Sequence, residues 1–580
     1  MAPVNRALSV AVAVPLALIL AGCGSDAPTP PPASAVPAQS PSLPPPPSSA
    51  GVAPVATGDP ATRARETVRT LSDAGLAGQV LMPYAYGDNA DRVDAAAAAG
   101  NQKLAGVNTP AEMVAKFGLG GVILVGFTAG DPTGATNPAT NVDNPQQVRA
   151  LTDGLQAAAR RLPGGAPLLI GTDQEFGVVT RVRTGATQLP SAMAFGAAGR
   201  PPLTQAAWHA AGQELAAMGI NLDFAPVADT LGPQGSSVIG SRSYGADPAA
   251  NAAQVRAAVR GIQGAGVSAA LKHFPGHGHT TGDSHDDLPI VRQSAAQWER
   301  EDRPPFAAGI GAGVAVVMSG HLDVEGLDKG VAATFSHKIM TDVLRGRLKF
   351  TGVAVTDAMN MAPAMKWPAG EAAVRALNAG NDMLLMPPDI TAARDGILAG
   401  LQNGSLKRER LVEAVTRILT LKFRSERPQP DLSVLESPEH RKAVLAADAA
   451  AVTVLKGRCS GPLVTGPVTV TASGGRETAR TGLVEALQQA GVPVQAAGGT
   501  VVHLIGYGDH TTDLSPDAAV TVSMDTPNLL AAAKSPTLVA TYSSSRLSLD
   551  ALAAVLAGKA KAPGRSPVQA GKLPRSACAK

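Results

Sequence analysis

The 580-residue chain is short of cysteine, of aromatic rings and of net charge. None of its three cysteines lies among its clustered histidines, and there is no His-Glu-x-x-His, so the common zinc patterns are missing. A formal net charge of +3 gives no bulk electrostatic reason to bind nucleic acid or an acidic membrane surface. Aromatic residues make up 3% of a chain rich in Ala and Gly, which matches high-GC codon usage and says nothing about function. What the chain does have is 45% hydrophobic residues, enough for a sizeable core, and length for two or three domains.

The N-terminus carries Arg6 and then the apolar run "ALSVAVAVPLALILAG", too short and too early for an ordinary membrane span. It ends in Leu20-Ala21-Gly22-Cys23, which resembles a bacterial lipobox. Residues 1–23 are expected to be a lipoprotein signal, with Cys23 lipidated. The protein would then be exported and anchored on the extracytoplasmic face of the membrane rather than spanning it. The alternative is a plain secretory signal with a chance cysteine. Residues 24–61 are Pro, Ala and Ser with almost no charge, so a disordered, polyproline-like tether is expected. Fully extended, at about 3.1 Å per residue, it would reach on the order of 100 Å. An oxidising compartment makes a Cys459–Cys578 disulfide plausible, the alternative being two free thiols.

From 62 to 430 short apolar runs alternate with Ala-rich helical stretches. The runs are "QVLMPYA", "GGVILVGF", "PLLIGTDQE", "NLDFAPVAD", "SAALKHFPG", "VAVVMSGHLD", "GVAVTDAMN" and "NDMLLMPP". Runs apolar throughout suit strands buried on both faces of a parallel sheet. Eight of them, each followed by a helix, predict an α/β fold with a (β/α)8 TIM-type barrel, a doubly wound open sheet being the alternative. Several runs end in polar residues: Asp173 and Glu175, Asp223 and Asp229, Lys272 and His273, His321 and Asp323, and Asp357. A barrel builds its site at those strand ends. Residues 440–580 hold five further strand-like runs and two helical ones, predicting a smaller α/β sandwich. It lacks clustered His or carboxylates and reads as supporting rather than catalytic.

The stretch "LKHFPGHGHTTGDSHDDLP" holds four of the ten histidines in nineteen residues. His277-x-His279 with Asp283 and His285 invites comparison with the binuclear zinc signature H-x-H-x-D-H. The gaps are four and two where that signature has two and one, so no metal is expected. Asp283 and His285, two apart in a Gly/Thr-rich loop, suit a different chemistry. The carboxylate can hold one imidazole nitrogen and leave the other to move protons.

"KHFPGHG" followed by "DSH" and "LP" resembles glycoside hydrolase family 3, specifically its β-N-acetylglucosaminidase branch. "GTDQEFGVVTR", "GSRSYG", "VMSGH", "GVAVTDAMNM" and "AGKAKAPGRSPV" resemble further family motifs. The resemblance implies a retaining exo-β-N-acetylglucosaminidase with Asp357 as nucleophile, His285 as acid/base and Asp283 orienting it. Asp173, Arg181, Arg242, Lys272 and His273 would hold the sugar. Each residue also has a structural alternative: Asp357 as a helix N-cap, Arg181 and Arg242 as surface residues, Lys272 and His273 as a buried pair. Asp223, Asp229 and Asp323 read as structural, and His277 and His279 as shaping the loop. Phe176 stands where the family usually has Gly, which predicts a narrowed or reshaped subsite, and His279 stands where Asp is common. No cofactor is expected. The expected partner is a β-linked N-acetylglucosamine glycan, here from cell-wall peptidoglycan, and the expected state a monomer. The alternatives are β-glucosidase or N-acetylglucosamine phosphorylase activity, or, in another class, a lipid-anchored sugar-binding protein.

Overall fold

The computed structural model describes residues 58–126 and 140–578. The signal segment, Cys23 and the tether up to residue 57 lie outside the described residues. Among the described residues no helix is long and apolar enough to cross a membrane.

Helix starts follow local chemistry. Asp59-Pro60, Thr109-Pro110, Asn144-Pro145, Asp247-Pro248 and Ser437-Pro438 each open a helix, the first residue's side chain accepting a backbone N–H of the first turn. Proline at the first helical position sacrifices only an N–H that has no intrahelical partner there. The helix Pro60–Thr70 packs against the helix Arg408–Arg424, with Arg63 paired to Glu426.

The eight apolar runs all become strands: β1 (Leu81–Met82), β2 (Gly121–Leu124), β3 (Leu169–Thr172), β4 (Leu222–Asp223), β5 (Ser268–Phe274), β6 (Val316–Ser319), β7 (Val353–Thr356) and β8 (Leu384–Leu385). Strands β2 to β7 form one continuous parallel sheet in chain order. Ile123 N–H donates to Pro83 O at 3.0 Å, joining β2 to the end of β1, and Thr356 N–H donates to Met383 O at 3.0 Å, joining β7 to β8. β8 then pairs in parallel with β1 through Leu81–Leu384 and Met82–Leu385. The sheet is closed, which excludes the open doubly wound alternative. Closure also explains why the runs are apolar throughout: one face fills the barrel and the other meets the helices. A two-residue parallel pair, Ile290–Val291 with Asp323–Val324, lies outside the ring, and of its residues only Asp323 falls within a predicted run.

The helix Pro438–Ala451 leads into a second sheet of β9 (Thr453–Lys456), β10 (Val468–Ala472), β11 (Thr500–Ile505), β12 (Val520–Ser523) and β13 (Thr537–Ala540). The order is β9-β13-β12-β11-β10, parallel except for β9 against β13. Leu483, Leu487, Leu549 and Leu552 of the helices Glu477–Gln489 and Arg546–Leu556 join Val470, Val502 and Val522 in one core. Leu455, Ile505, Leu538 and Tyr542 cluster instead with Met193, Ala194, Val227 and Ile239 of the barrel. Cys459 and Cys578 are joined, with Cα atoms 5.1 Å apart, and Ala577 N–H donates to Val454 O at 2.7 Å.

This crosslink spans a sequence separation of 119 residues, so it restricts the unfolded chain strongly. Cys459→Ser is expected to destabilise the second domain by about 2–4 kcal/mol in urea unfolding. Equal stability of the wild type with and without reductant would refute this.

Candidate active site

The strand ends converge on one cleft. Its lining includes Asp173, Arg181, Arg242, Lys272, His273, His285 and Asp357. Asp173 follows β3, Lys272 and His273 lie within β5, and Asp357 follows β7. Met318, Leu385 and Met386 supply apolar floor from the ends of β6 and β8.

The base of the cleft is a chain of opposite charges. Glu175 receives Arg242 Nε–H at 2.7 Å and Nη2–H at 2.8 Å, and Lys272 Nζ lies 2.7 Å from Glu175 Oε1. Lys272 Nζ also donates to Asp173 Oδ1 at 2.6 Å, and Arg181 Nη2 is 3.8 Å from Asp173 Oδ2. Arg242, on the short turn Gly240–Arg242, meets His273 Nε2 at 3.4 Å. His273 Nδ1 in turn sits 2.8 Å from Asp229 Oδ2. Burial pushes the Glu175 carboxyl up, but Arg242 and Lys272 outweigh it and hold the group well below the usual range. Burial likewise pushes Lys272 down, and Asp173 and Glu175 more than reverse this. Glu175, Lys272 and Arg242 are therefore all charged at neutral pH. Arg181 and Arg242 are 3% and 4% exposed, so the surface alternative fails for both.

Asp229 does structural work, as expected. Its Oδ1 accepts the backbone N–H of His273 at 3.1 Å and of His277 at 2.8 Å. Buried Asp223 accepts Gln174 N–H at 3.0 Å, and burial raises its carboxyl well above the ordinary value. Asp323 accepts Gly330 N–H at 2.9 Å.

Asp357 is held at the mouth of β7 by its own N–H to Ser319 O at 2.9 Å, and its Oδ1 accepts Ala358 N–H at 2.8 Å. No helix begins there, so its role is not that of an N-cap. Burial pushes this carboxyl up, but His273, His321 and the Ala358 N–H draw it below the ordinary value, so it stays an anion. Buried His321 fixes the next residue: Nε2–H donates to Ala358 O at 3.0 Å, and Nδ1 accepts from Thr334 Oγ1 at 2.9 Å. Burial lowers the His321 pKa, consistent with this neutral tautomer.

His285 lines the same cleft and is paired with Asp283. Asp283 Oδ1 accepts His285 Nδ1–H at 2.6 Å and His285 N–H at 2.9 Å. Burial pushes the Asp283 carboxyl up, but the bonds from His285 draw it lower overall. His285 Nε2 is left for proton exchange. The histidines of the loop face different partners: His277 Nε2 meets Ser284 Oγ at 3.1 Å, and His279 Nδ1 meets Asp302 Oδ1 at 3.0 Å. Among the described residues no group of His, Cys, Asp or Glu is arranged to hold a metal ion.

One expectation is corrected. Phe176 does not reshape the cleft. Its backbone takes φ +65°, a conformation natural to Gly, and its buried ring packs edge-on against Trp208 at 5.6 Å between centroids. Burial of the ring offsets the left-handed backbone cost of about 1–2 kcal/mol. Glu175 and His321 were visible in the sequence as polar residues after strands and within the motifs "GTDQEFGVVTR" and "VMSGH", but neither pattern gave them a role. The methionine floor had no sequence signal, because Met386 at a strand end reads like any core residue.

A closed parallel barrel with an acidic nucleophile candidate and an Asp–His pair over one cleft defines a class, the glycoside hydrolases. The chain belongs to glycosyl hydrolase family 3, whose N-terminal domain model matches residues 92–421. It is similar to β-hexosaminidase A of Pseudoalteromonas piscicida, 33% identical over 377 residues, 60% of this chain and 60% of that relative's length. It is also similar to a β-hexosaminidase of Pseudomonas aeruginosa, 38% identical over 270 residues, 46% of this chain and 77% of that one. The structure resembles that of a family 3 β-N-acetylglucosaminidase from Paenibacillus sp., with TM-score 0.74 and 31% identity, covering 86% of this chain and 99% of that one.

Glu175→Gln leaves buried Arg242 without its carboxylate partner and Lys272 with Asp173 alone, and is expected to cost about 3–5 kcal/mol at pH 7. A depressed carboxylate stabilises fully above its unfolded value of about 4.3 and loses that contribution as pH falls through its folded value. The gap between wild type and variant in urea unfolding should therefore be widest above about pH 5. It should narrow by about 1.4 kcal/mol per pH unit below about pH 4. A gap that does not change with pH would sink this account.

Proposed function

We propose that the protein is a retaining exo-β-N-acetylglucosaminidase that removes terminal β-linked N-acetylglucosamine from cell-wall (peptidoglycan) fragments. The observation that carries this reading is the placement of Asp357 and the Asp283–His285 dyad on one cleft whose base is a buried charge network. Family membership and the names of the relatives support it.

In this mechanism Asp357, kept anionic, attacks the anomeric carbon while His285 Nε2–H protonates the leaving oxygen. The imidazole, now neutral, removes a proton from water, which then releases the sugar from Asp357. Asp283 holds Nδ1–H throughout and stabilises the imidazolium. Asp173 accepts sugar hydroxyls, while Arg181, Arg242 and Lys272 donate. Lys272 is already shared between Asp173 and Glu175, so its larger effect is to orient Asp173.

The full-length protein should release p-nitrophenol from its β-N-acetylglucosaminide, and Asp357→Ala should lose on the order of 10⁴-fold or more. A folded wild type that binds the sugar unchanged would favour a binding protein. Preferential release from a β-glucoside, or N-acetylglucosamine 1-phosphate formed in phosphate buffer, would favour the other family activities.

We further propose that the protein is exported and lipid-anchored at Cys23 and works as a monomer at the end of its tether. The lipobox-like Leu20–Cys23 supports this reading. Cys23→Ser should move the protein from the membrane fraction to the soluble one. A variant still recovered with membranes would rule out the anchor.

A further inference from the structure

The loop that carries His285 leaves β5 and must hold an imidazole over the cleft, yet much of it has little support. Thr281, Asp286 and Asp287 are exposed. Its first limb is bound close to the barrel at two glycines. Gly278 passes so near Thr230 that a Cβ there would lie 2.0 Å from the carbonyl oxygen, and Gly232 N–H donates to Gly278 O at 2.9 Å. A Cβ on Gly276 would lie 2.7 Å from Asp302 Oδ1.

Asp302 is the unusual group. It joins the helices Ala295–Glu301 and Arg303–Gly311, is 1% exposed, and its Oδ2 has no hydrogen-bond partner among the described residues. Its Oδ1 receives His279 Nδ1–H at 3.0 Å, while His279 Nε2 lies 3.3 Å from Glu301 Oε2. A carboxylate buried this deeply is costly without a counter-charge. Burial raises the Asp302 carboxyl above its ordinary value, and His279 draws it part of the way back. Burial pushes the His279 imidazole down, but Asp302, Glu301 and more distant Asp229 more than reverse this, which favours the cationic form beside Asp302.

We infer that His279 is a positioning residue, a clamp that ties the first limb of the acid/base loop to the outer helices and thereby places the Asp283–His285 pair. The inference rests on the reading of His285 as the acid/base. An Asp at position 279 would bring a third carboxylate, with no N–H to donate, against Asp302 and Glu301. His279 touches no reacting atom. It acts through the loop: His277 Nε2 meets Ser284 Oγ at 3.1 Å, tying the same limb to the residue between Asp283 and His285.

A misplaced proton donor harms leaving groups that need protonation and spares those that do not. The test compares kcat/KM for N,N′-diacetylchitobiose and for the 2,4-dinitrophenyl β-N-acetylglucosaminide, using full-length His285→Ala, His279→Asp, His279→Asp/Asp302→Asn and His279→Asn. His285→Ala should lose ~10²-fold or more on the disaccharide and far less on the aryl glycoside. If it loses both alike, the acid/base reading itself fails. Given that control, His279→Asp should lose ~10- to 100-fold on the disaccharide and under ~3-fold on the aryl glycoside. Adding Asp302→Asn should restore most of this loss, because the amide introduced there could then donate to the new carboxylate. Equal losses on both substrates, or no rescue, overturn the clamp while leaving the acid/base reading intact. Should His279→Asp not fold, His279→Asn carries the test, since its Nδ2–H can replace Nδ1–H without the charge. A smaller but still leaving-group-selective loss supports the clamp, and an equal loss on both substrates overturns it.

Discussion

Glu175 holding two buried cations at once is the contact on which the site depends. Arg242 and Lys272 would repel each other in the low-dielectric base of the cleft, and neither could be buried alone without a large desolvation cost. With the carboxylate between them they join the end of β3, the middle of β5 and the Gly240–Arg242 turn. The chain of contacts continues through His273 to Asp229. Asp229 captures the backbone N–H of His273 and His277 and so sets the root of the loop that carries Asp283 and His285. One network thus shapes the base of the cleft and fixes where that loop departs. A network of this kind gains little net stability over an apolar core, but it resists partial rearrangement, since removing any member strands a charge.

The second domain contributes at one remove. None of the described residues lining the cleft comes from it. It packs instead on the barrel segments on either side of Arg242: Ala246 N–H donates to Pro567 O at 3.2 Å and Arg565 N–H to Ala197 O at 3.0 Å. Ser191 Oγ–H donates to Tyr542 O. Segments without strand ladders of their own are thereby anchored from outside, which a site built from loops requires.

Much of this was legible in the chain. All eight barrel runs and all five later ones became strands, because a strand buried on both faces has a simple pattern: apolar throughout, short, and bounded by turn residues. The polar residue at the end of such a run was equally visible, and Asp173, Lys272, His273 and Asp357 all reached one cleft. Arg181 and Arg242 were visible only through motif resemblance, since an arginine on a turn has no pattern of its own. Phe176 misled because its ring turns to Trp208 and not into the cleft, and the direction of a side chain on a left-handed backbone cannot be read from one-dimensional order.

The sequence by itself determined the alternation of strand and helix, the caps that start the helices, the spacing of Asp283 and His285, and the charges available at strand ends. These are local properties, settled by neighbours a few residues apart. Only the tertiary structure decided that the sheet closes, that Glu175 is shared between Arg242 and Lys272, and that His279 rests on Asp302. Each joins residues that are distant in the chain or lie on separate elements. Sequence displays which charges are present, but which of them share a low-dielectric site depends on three-dimensional proximity.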